Sequence, residues 1–273
     1  MRVFIKEYEP SESLRPYVKL YWEGSFIANA AGHLSMQMIP KGYLELIILL
    51  NNVNCDLLNN NTLSQCPDYL TMGLFTQSYE LRFKNRLKVF AIRFNPEGIY
   101  NIFGVPASAL KEPYGDISMV LGNEFRDFSN SLGEEKSIAN IIKSTESHLL
   151  KNLEEHNIGT NYLNLAAELI RNSKDIKIKD LPKRIFISQR QLEREFKDKI
   201  GISPKHYLKI MRINEVMRLI NNNPGIDLTS VAFHCGYFDQ AHFINDFKRI
   251  TGKTPSIFIK ERRRLFGTKN SVL

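Results

Sequence analysis

Apolar and polar positions alternate through much of the first third of the chain. Leu87-Lys88-Val89-Phe90-Ala91-Ile92-Arg93-Phe94 predicts a half-buried strand that stops at Asn95-Pro96-Glu97-Gly98, and Tyr79-Glu80-Leu81-Arg82-Phe83 alternates in the same way. Leu44 to Leu50 is almost unbroken apolar sequence ended by Asn51-Asn52, which predicts a buried strand. The asparagine-rich stretch from Asn51 to Asn61 reads as a hairpin or loop. Residues 1 to about 113 are therefore mainly strands, and an antiparallel sheet or small barrel is their natural product. From about Leu121 the period lengthens. Ile138, Ile141, Ile142, Leu149, Leu150 and Leu153 make one apolar stripe over about five helical turns. That stripe either packs on the sheet of its own chain or forms a seam between two chains. A break at Asn157-Ile158-Gly159-Thr160-Asn161 precedes a helix from about Tyr162 to Asn172.

Beyond that helix the pattern repeats at a spacing of 51 residues. Leu192 maps to Phe243, Phe196 to Phe247, Lys197 to Lys248, Gly201 to Gly252, Pro204 to Pro255 and Tyr207 to Phe258. One supersecondary unit has been used twice. In the first copy, Asp180 to Ile185 predicts a short helix and Phe186-Ile187 a turn. Ser188 then caps a helix that runs to about Lys199, with Leu192 and Phe196 inward. Ser203-Pro204 opens a long helix, since Pro is tolerated at the first helical position; Asn221-Asn222-Asn223-Pro224-Gly225 ends it. Such a helix is a rod of about 28 Å at about 1.5 Å per residue. In the second copy, Asp227 to His234 is a helix, Cys235-Gly236-Tyr237 the turn, and Asp239 the cap of a helix with Phe243 and Phe247 inward. The fold class is α+β in two domains: a β-rich sheet or small barrel with a helical end over 1–160, and over 161–273 an all-α domain of two helix-turn-helix units joined by a long helix.

Charge divides along the same line. The chain of 273 residues has a formal net charge of +8, but residues 171–273 hold 22 Lys and Arg against 10 Asp and Glu, and residues 1–170 hold 15 against 19. A basic C-terminal part next to a mildly acidic remainder points to a polyanionic partner, and the repeated unit looks like a helix-turn-helix that reads double-stranded DNA. Glu7 and Glu9 stand where a signal peptide needs an apolar core, and the longest apolar run is strand-sized. Three cysteines (Cys55, Cys66, Cys235) form no Cys-x-x-Cys pair, the usage of reduced thiols. These features give a cytoplasmic protein with no membrane partner.

Residues 171 to about 265 resemble the DNA-binding domain of the AraC/XylS family of bacterial transcription regulators. The resemblance rests on Val231 to Phe243, Phe247-Lys248, Gly252, Thr254-Pro255 and Phe258. In the first copy it rests on Ser188, Leu192, Arg194, Phe196-Lys197, Gly201, Ser203-Pro204, Tyr207 and Arg212. It implies that the second helix of each unit enters a major groove, the two grooves being successive on one face of bent DNA. Base-reading candidates are then Arg190, Glu193 and Arg194 in the first unit and Gln240, Ala241, Ile244 and Asn245 in the second. Arg194 suits a bidentate contact to guanine, while Ala241 and Ile244 suit only thymine methyls or the sugar wall. Lys197, Lys248 and Arg212 suit phosphates, which position without specifying. Two departures stand out: Pro182 where the family usually has a small alanine, and Asn245 where many members carry a basic residue.

The front part, through Leu14, Tyr17, Tyr21-Trp22, Ile39 to Ile47 and Ile92 to Gly98, resembles an N-terminal domain of unassigned role that precedes the same module. By family habit it senses a small-molecule effector, mediates homodimerisation, or both, and the regulator acts on RNA polymerase, more often as an activator. Glu45 and Arg93 each lie inside an apolar run, and a buried charge needs a partner. They are expected either to pair with each other or to meet a ligand beside Trp22 or Tyr43. No metal or cofactor is expected: His33 is the only histidine before His148, and His234 and His242 belong to the helix-turn-helix unit. An enzyme using the same module, such as a DNA-repair protein with a reactive cysteine, would need a thiol beside basic groups; Cys55 and Cys66 lie in a polar stretch without them. No catalytic residue is expected.

Overall fold

The computed structural model describes residues 2–27, 33–50, 55–59, 62–72, 78–84, 86–110, 114–135, 137–156, 158, 161–173, 176–223 and 225–266. Residues 51–54, 60 and 61 of the asparagine-rich stretch, residues 157, 159 and 160 of the expected break, and Pro224 lie outside them.

The N-terminal half begins with β1 (Arg2–Tyr8), β2 (Val18–Ile27), β3 (His33–Met38), β4 (Leu44–Leu49), β5 (Cys55–Asn59) and β6 (Thr62–Gln65). It continues with β7 (Tyr69–Met72), β8 (Tyr79–Lys84), β9 (Arg86–Phe94), the short helix α1 (Gly98–Phe103) and β10 (Tyr114–Asp116). Two antiparallel sheets result, with strand orders β1-β2-β9-β4-β7-β10 and β3-β8-β5-β6. The expected strands over 44–50, 79–83 and 87–94 are β4, β8 and β9, each within a residue of its expected ends. The asparagine-rich stretch supplies the hairpin β5–β6, with Leu58 opposite Leu63.

Alternation along β9 shows how the layers are built. Leu87, Val89 and Ala91 face one apolar cluster with Trp22, Phe26, Ile47, Leu70 and Leu81. Phe90, Ile92 and Phe94 face the opposite cluster, with Tyr21, Leu46 and Ile48. In β2 the register shifts between Val18 and Leu20. This bulge puts Val18 on the same side as Tyr21, as one extra residue in a strand must.

The second cluster is covered by helices. After α2 (Ser118–Glu134), which is interrupted at Gly122 (φ 80, ψ −164), comes α3 (Ile138–His156). Ile141 and Leu149 of α3 are buried and Ile138, Ile142, Leu150 and Leu153 pack beside them, against Phe103, Phe125 and Leu132. Of the two readings of the α3 stripe, packing on its own domain is the observed one.

The C-terminal half is helical: α4 (Tyr162–Asn172), α5 (Leu181–Arg184), α6 (Gln189–Lys199), α7 (Pro204–Asn222), α8 (Leu228–His234), α9 (Gln240–Thr251) and α10 (Pro255–Phe266). Leu163, Ala166, Ala167 and Ile170 of α4 share one apolar core with Phe196, Tyr207, Ile213, Val216, Phe243, Phe247 and Phe258. The expected α+β, two-part architecture is the observed one, with α7 joining the two helical units. Among the described residues no helix is long and apolar enough to cross a membrane.

Candidate nucleic-acid interface

Each unit is assembled by local capping. Ser188 Oγ accepts from Gln191 N–H at 3.1 Å to start α6, and Asp239 Oδ1 accepts from His242 N–H at 2.7 Å to start α9. The two copies are not equivalent throughout. In the first, Ile185 N–H bonds Leu181 C=O and Ile187 N–H bonds Pro182 C=O; in the second, Cys235 N–H bonds Val231 C=O and Tyr237 N–H bonds Ala232 C=O. Leading helix and turn therefore repeat at 50 residues, while α6 and α9 repeat at 51. The turn of the second unit is one residue longer. The shifted register pairs Pro182 with Ala232, both buried, and Phe186 with Gly236, both left-handed (φ 57 and 78). Pro182 sits at the start of α5, where its missing N–H breaks no helical bond.

The expected contact residues divide by exposure. Arg190, Glu193, Arg194 and Lys197 on α6 are exposed, as are Gln240, Ala241, Asn245 and Lys248 on α9. Ile244 is half-buried and packs against the helical core. Arg194 Nη2 lies 3.0 Å from Glu195 Oε1, a surface pair weak enough to yield to another anion. Glu195 is also 2.7 Å from Lys199 Nζ, and hydrogen bonds from Lys199 and Arg194 hold its carboxyl below the usual range. Gln189 Nε2 donates to Glu193 Oε1 at 3.1 Å. Arg212 lies on α7, half-buried, its guanidinium 5.8 Å from the Tyr237 ring centroid. It thus contacts the second turn and also lines a small concavity beside α7. Phe186 and Phe238, 95% and 90% exposed, flank the starts of α6 and α9.

In the N-terminal half, Glu45 and Arg93 face each other across β4 and β9, with Arg93 Nε donating to Glu45 Oε1 at 2.6 Å. Glu7 Oε1 is 3.7 Å from Arg93 Nη1, and the Tyr43 ring centroid 6.0 Å from Arg93 Cζ. Trp22 is 8% exposed, in the cluster between the sheets.

Sequence reasoning missed a polar junction between the halves. Glu97, 1% exposed, accepts from Asn164 Nδ2 at 3.3 Å, and its other oxygen lies 3.6 Å from Arg171 Nη1. Asn101 Nδ2 donates to Asn164 Oδ1 at 3.1 Å. Burial pushes the Glu97 carboxyl up to about 7 against the opposing pull of Arg171. Beside this network lies a cleft of about 950 Å³ whose walls include Arg15, Lys19, Tyr43, Glu97, Glu168 and Arg171. The one signal for α4's part was its spacing: Asn164, Glu168 and Arg171 recur at helical intervals along a row beside its apolar face.

Residues 181–261 match the family model described as a helix-turn-helix domain. The Msm operon regulatory protein of Streptococcus mutans is 29% identical over 119 residues, 42% of this chain and 42% of that protein. The C-terminal part is similar to the DNA-binding domain of AraC-family regulators. The AraC-type domain is also similar to that of the transcriptional activator RhaS of Escherichia coli O157:H7, 33% identical over 63 residues, 23% of this chain and 22% of RhaS. The match thus spans less than half the length of either curated relative. A probable AraC family transcriptional regulator from Rhodopseudomonas palustris superposes with a TM-score of 0.35 at 24% identity, over 38% of this chain and 98% of that one. ToxT from Vibrio cholerae does so with a TM-score of 0.46 at 11% identity, over 84% and 98%. Residues 6–115 match a family described as a domain of unknown function, DUF6597.

Proposed function

We propose that the chain is a sequence-specific transcription regulator. Its helices α6 and α9 enter successive major grooves of one duplex, and an effector or partner at the N-terminal domain sets their activity. The observation that carries this reading is the pair of capped helices with exposed polar faces, mounted on the single continuous helix α7. A rod of this length suits two reading heads spaced near one DNA turn, about 34 Å. The division of labour falls near residues 160 and 161, since the helical core begins with Leu163. The cleft beside Glu97 and Arg171 supports control by a ligand, because anything bound there touches both halves. The Glu45–Arg93 pair is read as structural. RNA polymerase is the proposed downstream partner, on the strength of relatives named as regulators and activators.

Footprinting of the purified full-length chain on genomic fragments tests the reading. One protected site spanning two adjacent major grooves is expected; protection without sequence preference against random competitor overturns it. On that site Arg194→Ala should cost about 1–3 kcal/mol and relax preference at one base position. Lys248→Ala should weaken all sequences alike and reduce the salt dependence of binding. Unchanged footprints for both variants would refute the assignment of outward faces.

A further inference from the structure

Between the two reading units the start of α7 meets the flank of α9. Ser203, Lys205, His206 and Lys209 from α7, with Asp246 and Arg249 from α9, line a concavity of about 190 Å³. Ser203 Oγ accepts from His206 N–H at 3.2 Å and so keeps its own hydroxyl proton to donate. Pro204 has no N–H, so Lys205 carries the first backbone donor at the positive end of a 19-residue helix.

The charge balance of the concavity is one-sided. Its one carboxylate is answered at one oxygen: Asp246 Oδ1 accepts from Lys209 Nζ at 2.8 Å, while Asp246 Oδ2, 3.2 Å from His242 Nε2, is buried without a hydrogen bond. Lys205 and Arg249 are exposed, and among the described residues no ion pair is recorded for either. His206 Nε2 is buried without a hydrogen-bond partner. Burial first, then the charge of Lys209 and more weakly that of Arg249, hold the His206 ring below its usual pKa against the opposing pull of Asp246.

We infer that this concavity is a phosphate site, and that it holds a backbone phosphate of the duplex between the two major grooves. The assignment rests on the DNA-reading function proposed above. It goes beyond it by placing a third anchoring point midway between α6 and α9. A duplex read in two successive major grooves turns its sugar–phosphate backbone toward the protein between them. The residues bordering that span are the last part of the first unit and the near flank of α9. A phosphodiester oxygen there meets the Lys205 amide, the Ser203 hydroxyl and two cationic side chains, the donor set that phosphates take at helix starts. Lys205, Ser203 and Arg249 are thus positioning residues: they fix where the two reading helices stand along the duplex and read no base.

The experiment uses the full-length chain and a mixed-sequence duplex of about 30 bp, with affinity followed from about 50 to 200 mM salt. Lys205→Gln with Arg249→Gln is compared with Lys6→Gln plus Lys143→Gln, which removes the same charge from exposed positions in the N-terminal half. The site variant should bind about tenfold more weakly near 100 mM salt and lose about 0.9 from its log–log salt slope for each phosphate released, with the control close to wild type. Equal slopes for the two double variants overturn the site. A third arm adds about 10 mM inorganic phosphate at constant ionic strength and records the melting temperature. Stabilisation of wild type but not of Lys205→Gln/Arg249→Gln, with unchanged salt slopes, would make this a small-anion site and also overturn the DNA assignment. Failure of wild type to bind any duplex would sink the DNA-reading function itself, a result distinct from either.

Discussion

Phe186 holds a left-handed backbone (φ 57) with its ring 95% exposed, at a turn whose counterpart is Gly236. Left-handed geometry costs a non-glycine residue about 1–2 kcal/mol, and an exposed ring regains little by packing. Phe186→Gly should therefore raise stability by about 0.5 kcal/mol once the greater freedom of glycine in the unfolded chain is subtracted. Urea melts read this directly, and a lower midpoint would mean that the ring is held by contacts. Much at this scale was legible in the sequence. Ser188, Ser203 and Asp239 stand where caps were expected and accept the expected backbone bonds. Two residues were not. Ile244 looks outward by spacing alone, yet it packs on the core because its apolar side chain covers the edge that Phe243 and Phe247 leave. Glu97 sits in an Asn-Pro-Glu-Gly strand stop, and nothing nearby in the chain announces partners 67 and 74 positions away.

Among elements, α6 and α9 depend on the same kind of anchor. Phe196 and Phe247 are fully buried at matching positions and face Tyr207 and Phe258, with ring centroids 5.9 and 5.5 Å apart. Phe196→Ala and Phe247→Ala should each cost about 3–5 kcal/mol, seen as a loss of cooperative melting in the helical half. Changes at exposed Arg190 or Gln240 should leave melting within about 0.5 kcal/mol. The contrast checks which faces point inward; equal losses would contradict it. Helices were the more legible elements, because the 51-residue repeat and the Ser-Pro and Asn-Pro-Gly signals bracket them from both sides. β1, β2, β7 and α1 were not assigned. Strand β7 is four residues long, and the bulge in β2 breaks the alternation on which sequence reading depends. The one-residue difference between the turns was equally hidden, since leading helices of four and seven residues leave too few positions to fix a register.

At the scale of the whole molecule the two halves are joined by several polar contacts and one buried charge network. Asn214 Nδ2 donates to Lys41 C=O at 2.8 Å, Ser108 Oγ to Asp198 Oδ1 at 2.6 Å, and the Lys199 ammonium lies 4.7 Å from the Tyr100 ring centroid. Glu97 makes this junction sensitive to pH. Its carboxyl is raised from 4.5 to about 7, so between those values the folded chain keeps a proton that the unfolded chain has lost. Stability from this group is complete below about pH 4.5 and fades as pH rises through 7. Glu97→Gln should flatten that slope and stabilise the chain near pH 8 by an amount on the order of 2 kcal/mol. Melting curves from pH 5 to 8 test it, and parallel slopes for wild type and variant would rule it out. Beyond the spacing of Asn164, Glu168 and Arg171 on α4, none of this was legible beforehand, because a junction between domains depends on how two folded surfaces meet and not on any local period.

Gln37 Nε2 and Ser78 Oγ, from the two strand-bearing segments around β3 and β8, both donate to the carbonyl of Thr251, the last residue of α9. A terminal helix carbonyl that ordinarily goes to water or to its own chain's next turn is here completed by the sheet. The helical half is consequently no interchangeable cassette. Grafted behind a foreign sensor, it would carry an unfinished helix end, an uncovered Arg171 and a slot on Met211 shaped to the bare backbone of Gly42. Chimaeras cut at the linker should keep the proposed DNA preference of α6 and α9 but not the stiffness with which those helices are presented.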